Sequence, residues 1–504
     1  MRASDILFQD LFIIKYNMSF THHIKNLAII ALMSLSCLSA ISCKEVQKDY
    51  PMFWTWMEDR EDLNLDSLFV HLNEAGIDGL MLYVPDEESY HKAAVLAKEN
   101  DVTLYAWIWT LRPRGDRELL LKEHPEWFDY NISGISLVEQ RPYLESYAFL
   151  SAALDEVRDY VRGNIRRVCE IEGIEGVCLD YCRIVDRILP ISLSYKYEKP
   201  HDAVFFPEYD YGYHPEALKK FKAEYGYDPR NTEDPTRDSL WCSFRERMIT
   251  EVANIAAEVA RSYGKKVCAS PFVSDDLASV MVGQNYAKWD LDLVFPMVYA
   301  DFYTMEPGFV YDAVSQNMQD RNPETQIFCG LGAELGGTFE RLLEDMDAAF
   351  SAGAQGISLY TVAGLDTKEK RAGFKAYADR MRKMKHDNHG TLPALPRPDY
   401  VPEGGVSLNP MEHPRLMAVV ERNLQRIIAG ENIHDKKNYA MNGIVSDDSK
   451  KIYPELNITD YSLIRSDDRI LVYRVEDIIS RRKFDVLFPI YGGLICGWDI
   501  REIK

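Results

Sequence analysis

Carboxylates and aromatic rings recur at the ends of short apolar runs along this 504-residue chain. The run "GVCLDYCRI" closes on Asp180, Tyr181 and Arg183, and "FWTWMEDR" carries Trp54, Trp56 and Glu58. Tyr83 and Asp86 lie in "LYVPDEE", and "AWIWTLRPR" holds Trp107, Trp109, Arg112 and Arg114. Further on, "ASPFVSDD" holds Asp275 and Asp276, "PMVYADFY" holds Tyr299, Asp301 and Tyr303, "CGLGAEL" holds Glu334, and "LYTVAGLD" holds Tyr360 and Asp366. Rings offer flat apolar faces to the C–H side of a pyranose. Two carboxyls flanking a bond meet the needs of glycosidic cleavage, one giving a proton and the other attacking or activating water. The same run ends hold no His-x-His pair, no Gly-x-Ser-x-Gly elbow and no lysine placed for a Schiff base. Cys178 and Cys182 lack the further cysteines and histidines of a zinc or iron–sulfur site. No metal or cofactor is therefore expected. The glycines of "CGLGAELGG" have no basic partner that would make them a phosphate cradle.

These residues converge only if the runs are strands of one sheet. After residue 50 the chain alternates β-rich runs with longer amphipathic stretches, such as "MFWTWM" then "LDSLFVHLNEAG", and "IDGLMLYV" then "ESYHKAAVLAKEN". "VTLYAWIWT", "IEGVCLDY", "KKVCASPF", "LDLVFPMVYA", "TQIFCGLGA" and "AQGISLYTV" bring the strand count to eight. Strands separated by helical crossovers run parallel, and eight is the number that closes a (β/α)₈ barrel, the TIM barrel of the α/β class. An open doubly wound sheet would want a glycine-rich turn after strand one, and "WTWMEDRED" has no glycine. In a barrel the C-terminal strand ends share one mouth, which is where every residue named above falls. The insertion "YKYEKPHDAVFFPEYDYGYHP" follows strand four, and its last part reads as a loop over the ligand or as a packed surface insertion.

Four segments are expected. Residues 1–43 form an N-terminal extension plus signal peptide, 44–384 the barrel, 385–411 a Pro/Gly-rich linker, and 412–504 a small α+β domain with no recognisable chemical motif. From Met18 the chain shows a charged region, an apolar run from Leu27 to Ile41 and the sequence "AISC". That pattern resembles a bacterial lipobox, implying lipidation at Cys43, a membrane anchor and a place in the cell envelope. The seven later cysteines are odd in number and scattered, unlike a disulfide framework. A net charge of -21 argues against nucleic acid as a partner.

"GVCLDYCRI" also resembles the fourth-strand pattern Gly–apolar–x–Leu–Asp–Tyr–x–Arg of bacterial TIM-barrel lipoproteins described as family-10-like glycosyl hydrolases. The likeness runs through "FPEYDYGYHP", "KFKAEYGYDP", "EVARSYGKKVCASPF" and "WDLDLVFPMVYADFY", over about residues 100 to 365. Where that family tends to continue Arg–Tyr–Pro, this chain has Arg183-Ile184-Val185. The resemblance implies an oligosaccharide or polysaccharide substrate. Asp180 is the first catalytic candidate. By analogy with sugar-cleaving barrels that pair strands four and seven, Glu334 is its partner, with Asp301 as the alternative. Trp54, Trp56, Trp107, Trp109, Tyr83, Tyr299, Tyr303 and Tyr360 are the candidate sugar platforms. Arg183 would orient Asp180, hold an acidic sugar or form a plain salt bridge. The competing expectation is a glycan-binding lipoprotein without catalysis; a third is a scaffold whose tail binds another envelope protein.

Overall fold

A computed structural model describes residues 50–59, 63–142, 144–187, 207–300, 308–335, 337–399, 424, 456–466, 470–491, 494–495 and 499–503. The signal region with Cys43, residues 188–206 with the first part of the insertion, Asp301, Tyr303 and nearly all of 400–455 lie outside the described residues.

Eight parallel strands pair in chain order, and the eighth returns to the first: β1 (Phe53–Glu58), β2 (Gly79–Tyr83), β3 (Thr103–Trp109), β4 (Gly176–Asp180), β5 (Lys266–Ala269), β6 (Leu293–Val294), β7 (Gln326–Leu331) and β8 (Gly356–Leu359). This is the closed (β/α)₈ barrel expected from the alternation of runs. The helices between strands include α1 (Leu65–Ala75), α2 (Glu87–Glu99), α3 (Arg117–Glu123), α4 (Asp155–Cys169), α5 (Pro215–Tyr225), α6 (Ser239–Ser262), α7 (Asp275–Val282), α8 (Phe309–Asp320) and α9 (Phe339–Ser351). The helix α10 (Lys368–Asp387) follows β8. None of the helices among the described residues is long and apolar enough to cross a membrane.

Local chemistry sets the helix starts. Asn64, Asp86, Ser274, Thr338 and Thr367 each accept a backbone N–H at a helix N-terminus, satisfying a donor that the first turn leaves free. Asp86, one of the acids at a strand end, is thus occupied as a cap. In α4 the buried Val157, Val161, Ile165 and Val168 recur at helical spacing and face the barrel core.

Strand alternation divides the apolar side chains into two layers. Phe53, Leu80, Leu82, Leu104, Ala106, Val177, Leu179, Ile327, Ile357 and Leu359 belong to the continuous core that includes the helices' buried faces. The alternate residues fill the barrel. Trp54 meets Tyr105 edge-on at 4.8 Å and Phe295 at 5.5 Å, and Phe295 meets Phe328 at 5.2 Å. Glycines make room for these rings. A methyl placed on Gly79 would come within 2.1 Å of the Trp54 ring, and one on Gly356 within 2.3 Å of Phe328.

The part of the insertion that is described, leading into α5, is pinned to α6. Arg245 donates to the Asp210 carboxylate at 2.6 Å and to the Tyr211 carbonyl at 2.7 Å, and Tyr213 donates to Asp210 at 2.6 Å. Both charged side chains are 1% exposed. Gly212 has φ +101°, and a methyl there would fall 2.6 Å from the Arg245 stem. "EYDYGYHP" is therefore a packed element over its described part.

Near the C-terminus an antiparallel sheet is formed by β9 (Ile458–Ser466), β10 (Ile470–Asp477), β11 (Lys483–Tyr491), β12 (Leu494–Ile495) and β13 (Asp499–Ile503). The helix expected over "PRLMAVVERNLQRIIAG" lies outside the described residues, apart from Leu424.

Candidate active site

At the C-terminal end of the barrel, a cavity of about 320 Å³ is walled by Trp56, Glu58, Trp107, Trp109, Asp180, Tyr181, Arg183, Ser270, Phe272, Met297, Tyr299, Leu335 and Tyr360. Its size falls in the range of small-molecule sites.

Asp180 ends β4 and is 7% exposed. Its Oδ2 accepts from the Trp107 indole N–H at 3.0 Å, and its Oδ1 from the Tyr181 backbone N–H at 2.6 Å. Burial pushes this carboxyl up to about 6, against the opposing pull of the two hydrogen bonds and of the nearby Arg183 and Arg112 charges. Tyr181 has φ +48°, a left-handed backbone that is uncommon for a bulky residue. Its ring lies 4.9 Å from that of Trp109. The β-ladder persists past this turn, since Thr110 and Leu111 donate to the carbonyls of Asp180 and Tyr181. The strained residue directly after the buried acid is half-buried, its ring packed against Trp109 and Phe149.

Among the described residues, the second carboxylate on the cavity wall is Glu58, at the end of β1. It is ion-paired with Arg114, whose guanidinium also lies over Tyr83 at 4.4 Å and Trp109 at 4.5 Å. Glu58 stands at a strand end in the sequence, yet only the geometry separates it from the other acids there. Ser270, which accepts from the Trp56 indole at 2.9 Å, and Phe272, Met297 and Leu335 also line the cavity without having been singled out.

Of the expected site residues, Asp180, Trp56, Trp107, Trp109, Arg183, Tyr299 and Tyr360 come together on this wall. Tyr299 and Tyr360 face each other at 5.7 Å. Tyr83 stands beside the wall, its ring tilted against that of Trp109 at 5.9 Å. Trp54 does not reach the cavity. It shares the inward parity of Trp56 but sits one layer deeper, wholly buried, with its indole donating to the Pro51 carbonyl at 2.7 Å. Glu334 stands outside the wall. It is exposed and accepts from the Thr361 hydroxyl at 2.5 Å, while the next residue, Leu335, faces the cavity. Arg183 is matched by Asp186 at 3.2 Å, donates to the Ile184 carbonyl at 3.0 Å, and lies over the rings of Tyr181, Phe149 and Phe272. Asp275 accepts from the Ala287 backbone and Asp366 pairs with Lys370, so both are taken up by local structure.

No protein-family profile matches the chain, and no curated protein matches it. Solved structures that resemble it include the catalytic domain of a beta-amylase from Paenibacillus polymyxa, at 13% identity and TM-score 0.44, covering 65% of this chain and 98% of that one. A chitinase from Chromobacterium violaceum follows at 8% identity and TM-score 0.38, covering 65% and 99%. A spore cortex-lytic enzyme from Bacillus megaterium matches at 10% identity and TM-score 0.38, covering 64% and 73%. Likenesses this distant carry no argument about the reaction, and the barrel itself is read from the strand pairing.

Proposed function

We propose that this chain hydrolyses a glycosidic bond, with Asp180 as the proton donor. The observation that carries the reading is the Asp180 carboxyl itself, buried at the end of β4 and opening into a ring-walled cavity that a second carboxylate also lines. Burial keeps its proton on to about pH 6, as a general acid requires. After the proton passes to the leaving-group oxygen, the Trp107 and Tyr181 N–H groups already face the carboxylate that remains. Glu58 is the described candidate for the second carboxylate, held in place by Arg114. Asp301, after β6, is the other. Trp56, Trp107, Trp109, Tyr299 and Tyr360 would offer the faces on which sugar rings lie.

The test is a panel of plant, host and bacterial glycans, scored for released reducing ends with wild type, Asp180→Asn and Glu58→Gln. Product from wild type and none from Asp180→Asn supports the reading; equal product from both removes Asp180 from the mechanism.

Two observations favour a second reading, glycan binding without turnover: Glu58 is already paired with Arg114, and Glu334 accepts from Thr361. Retention of a glycan by wild type and by both variants, with no product from any, would select it.

The sequence from Met18 to Cys43 supports placing the protein in the cell envelope through a lipid on Cys43. Expression in a bacterial host with Cys43→Ala should move the protein out of the membrane fraction. A variant that stays there would sink the anchor.

A further inference from the structure

Three arginines stand on the β3–β4 side of the cavity, Arg183 on its wall and Arg112 and Arg114 against the ring of Trp109, and their charges are not equally met. Arg114 pairs with Glu58, and Arg183 with Asp186. Arg112 pairs with no carboxylate among the described residues. Its Nε donates to the Ser146 carbonyl at 3.1 Å, and it is 9% exposed. Its two Nη groups make no hydrogen bond among the described residues, and neither is among the polar atoms fully sealed from solvent.

The guanidinium lies in the seam between two rings of the cavity wall. Its central carbon is 4.7 Å from the centroid of Trp109 and 4.7 Å from that of Tyr181, and those centroids are 4.9 Å apart. Ring faces attract a cation but do not replace a counter-ion, and a buried charge without one is costly. Arg112 is thus a desolvated fork of donors, with open Nη groups, packed against two of the rings that line the cavity and against Tyr147. That is the chemistry by which a guanidinium recognises a carboxylate.

We propose that the cavity takes an acidic sugar, with a uronate-type carboxylate whose charge is met by Arg112. This rests on the glycan reading above and specifies the substrate class. An anion drawn to Arg112 also lands near Asp180, so the sugar that binds is one that favours the protonated acid.

The experiment measures binding of galacturonate and glucuronate, with galactose and glucose as the matched neutral sugars, by titration calorimetry or ligand-observed NMR. Wild type should prefer at least one acid over its neutral counterpart by about tenfold or more, the scale of a charge-assisted hydrogen bond. Arg112→Met should bring that ratio close to one while leaving neutral-sugar binding within a few-fold. Arg112→Lys, which keeps the charge and loses the fork, should retain part of it. A purely structural arginine would weaken both sugars together and leave the ratio unchanged. Equal binding of acids and neutral sugars by wild type overturns the inference, whether or not the methionine variant folds. A preference that survives in Arg112→Met overturns it as well. Reducing-end release separates this from the hydrolase reading. Cleavage of a neutral glycan by a wild type that binds acids and neutral sugars equally would sink the acidic-sugar inference alone. Arg112-dependent uronate binding without any cleavage would sink hydrolysis alone.

Discussion

Asp180 is the residue on which the chemistry turns, and its environment makes directional predictions. As a general acid it works in the protonated form, so kcat/KM should fall as pH rises through about 6, the value to which burial pushes its carboxyl. Asp180→Asn should cost roughly 10²- to 10⁴-fold in kcat/KM, the usual worth of a positioned acid. The Trp107 N–H stabilises the charged carboxylate, so removing it with Trp107→Phe should raise the pKa and move that limb to higher pH. A profile that stays put in Trp107→Phe would mean that another group sets the limb. Tyr181 matters for the same reason: its left-handed backbone aims the second N–H at the acid.

The elements carry these residues, and their fit can be tested by adding or removing single groups. Gly79→Ala on β2 should destabilise the barrel by about 1–3 kcal/mol or more, because the new methyl meets the Trp54 ring inside a filled core. The readout is the urea midpoint. Asp210→Asn should cost about 3–5 kcal/mol by leaving the buried Arg245 charge unmatched. The double change Asp210→Leu with Arg245→Met should cost less than the sum of the two singles.

All eight barrel strands were legible as apolar runs, and their alternation with helices implied closure in chain order. The ends were less so: β6 is only Leu293–Val294, because Pro296 has no N–H to give the ladder, although Met297 just beyond it still bridges Gly330 of β7. Period-two patterning puts Trp54, Trp56 and Glu58 on one side of β1, but it does not say how deep each one sits. Trp54 therefore read as a sugar platform and is barrel filling. Whether Glu334 lines the cavity depends on loop conformation, which has no periodicity to read. Glu334 follows β7 in a turn that presents Leu335 inward. Arg112 carried no local signal, since its lack of a carboxylate is a property of what surrounds it in space.

At the scale of the whole molecule, the net charge of -21 acts against the local cation at Arg112. The overall field repels an anionic glycan until it is inside the cavity, where screening by ions matters less. Association with a uronate oligomer should therefore speed up as salt rises from about 10 mM to 150 mM, the reverse of electrostatic steering. Stopped-flow traces at several salt concentrations would show it, and a rate that falls with salt would contradict this picture.

The wedge of Trp54, Tyr105, Phe295 and Phe328 beneath the cavity leaves the barrel with a stopper at its far end. No polymer can thread such a cylinder from top to bottom. A sugar chain must either lie across the rim or dip one terminus in and withdraw it the same way. Whatever is released leaves by the door through which its parent arrived, so departing fragments and incoming chains compete for a single passage.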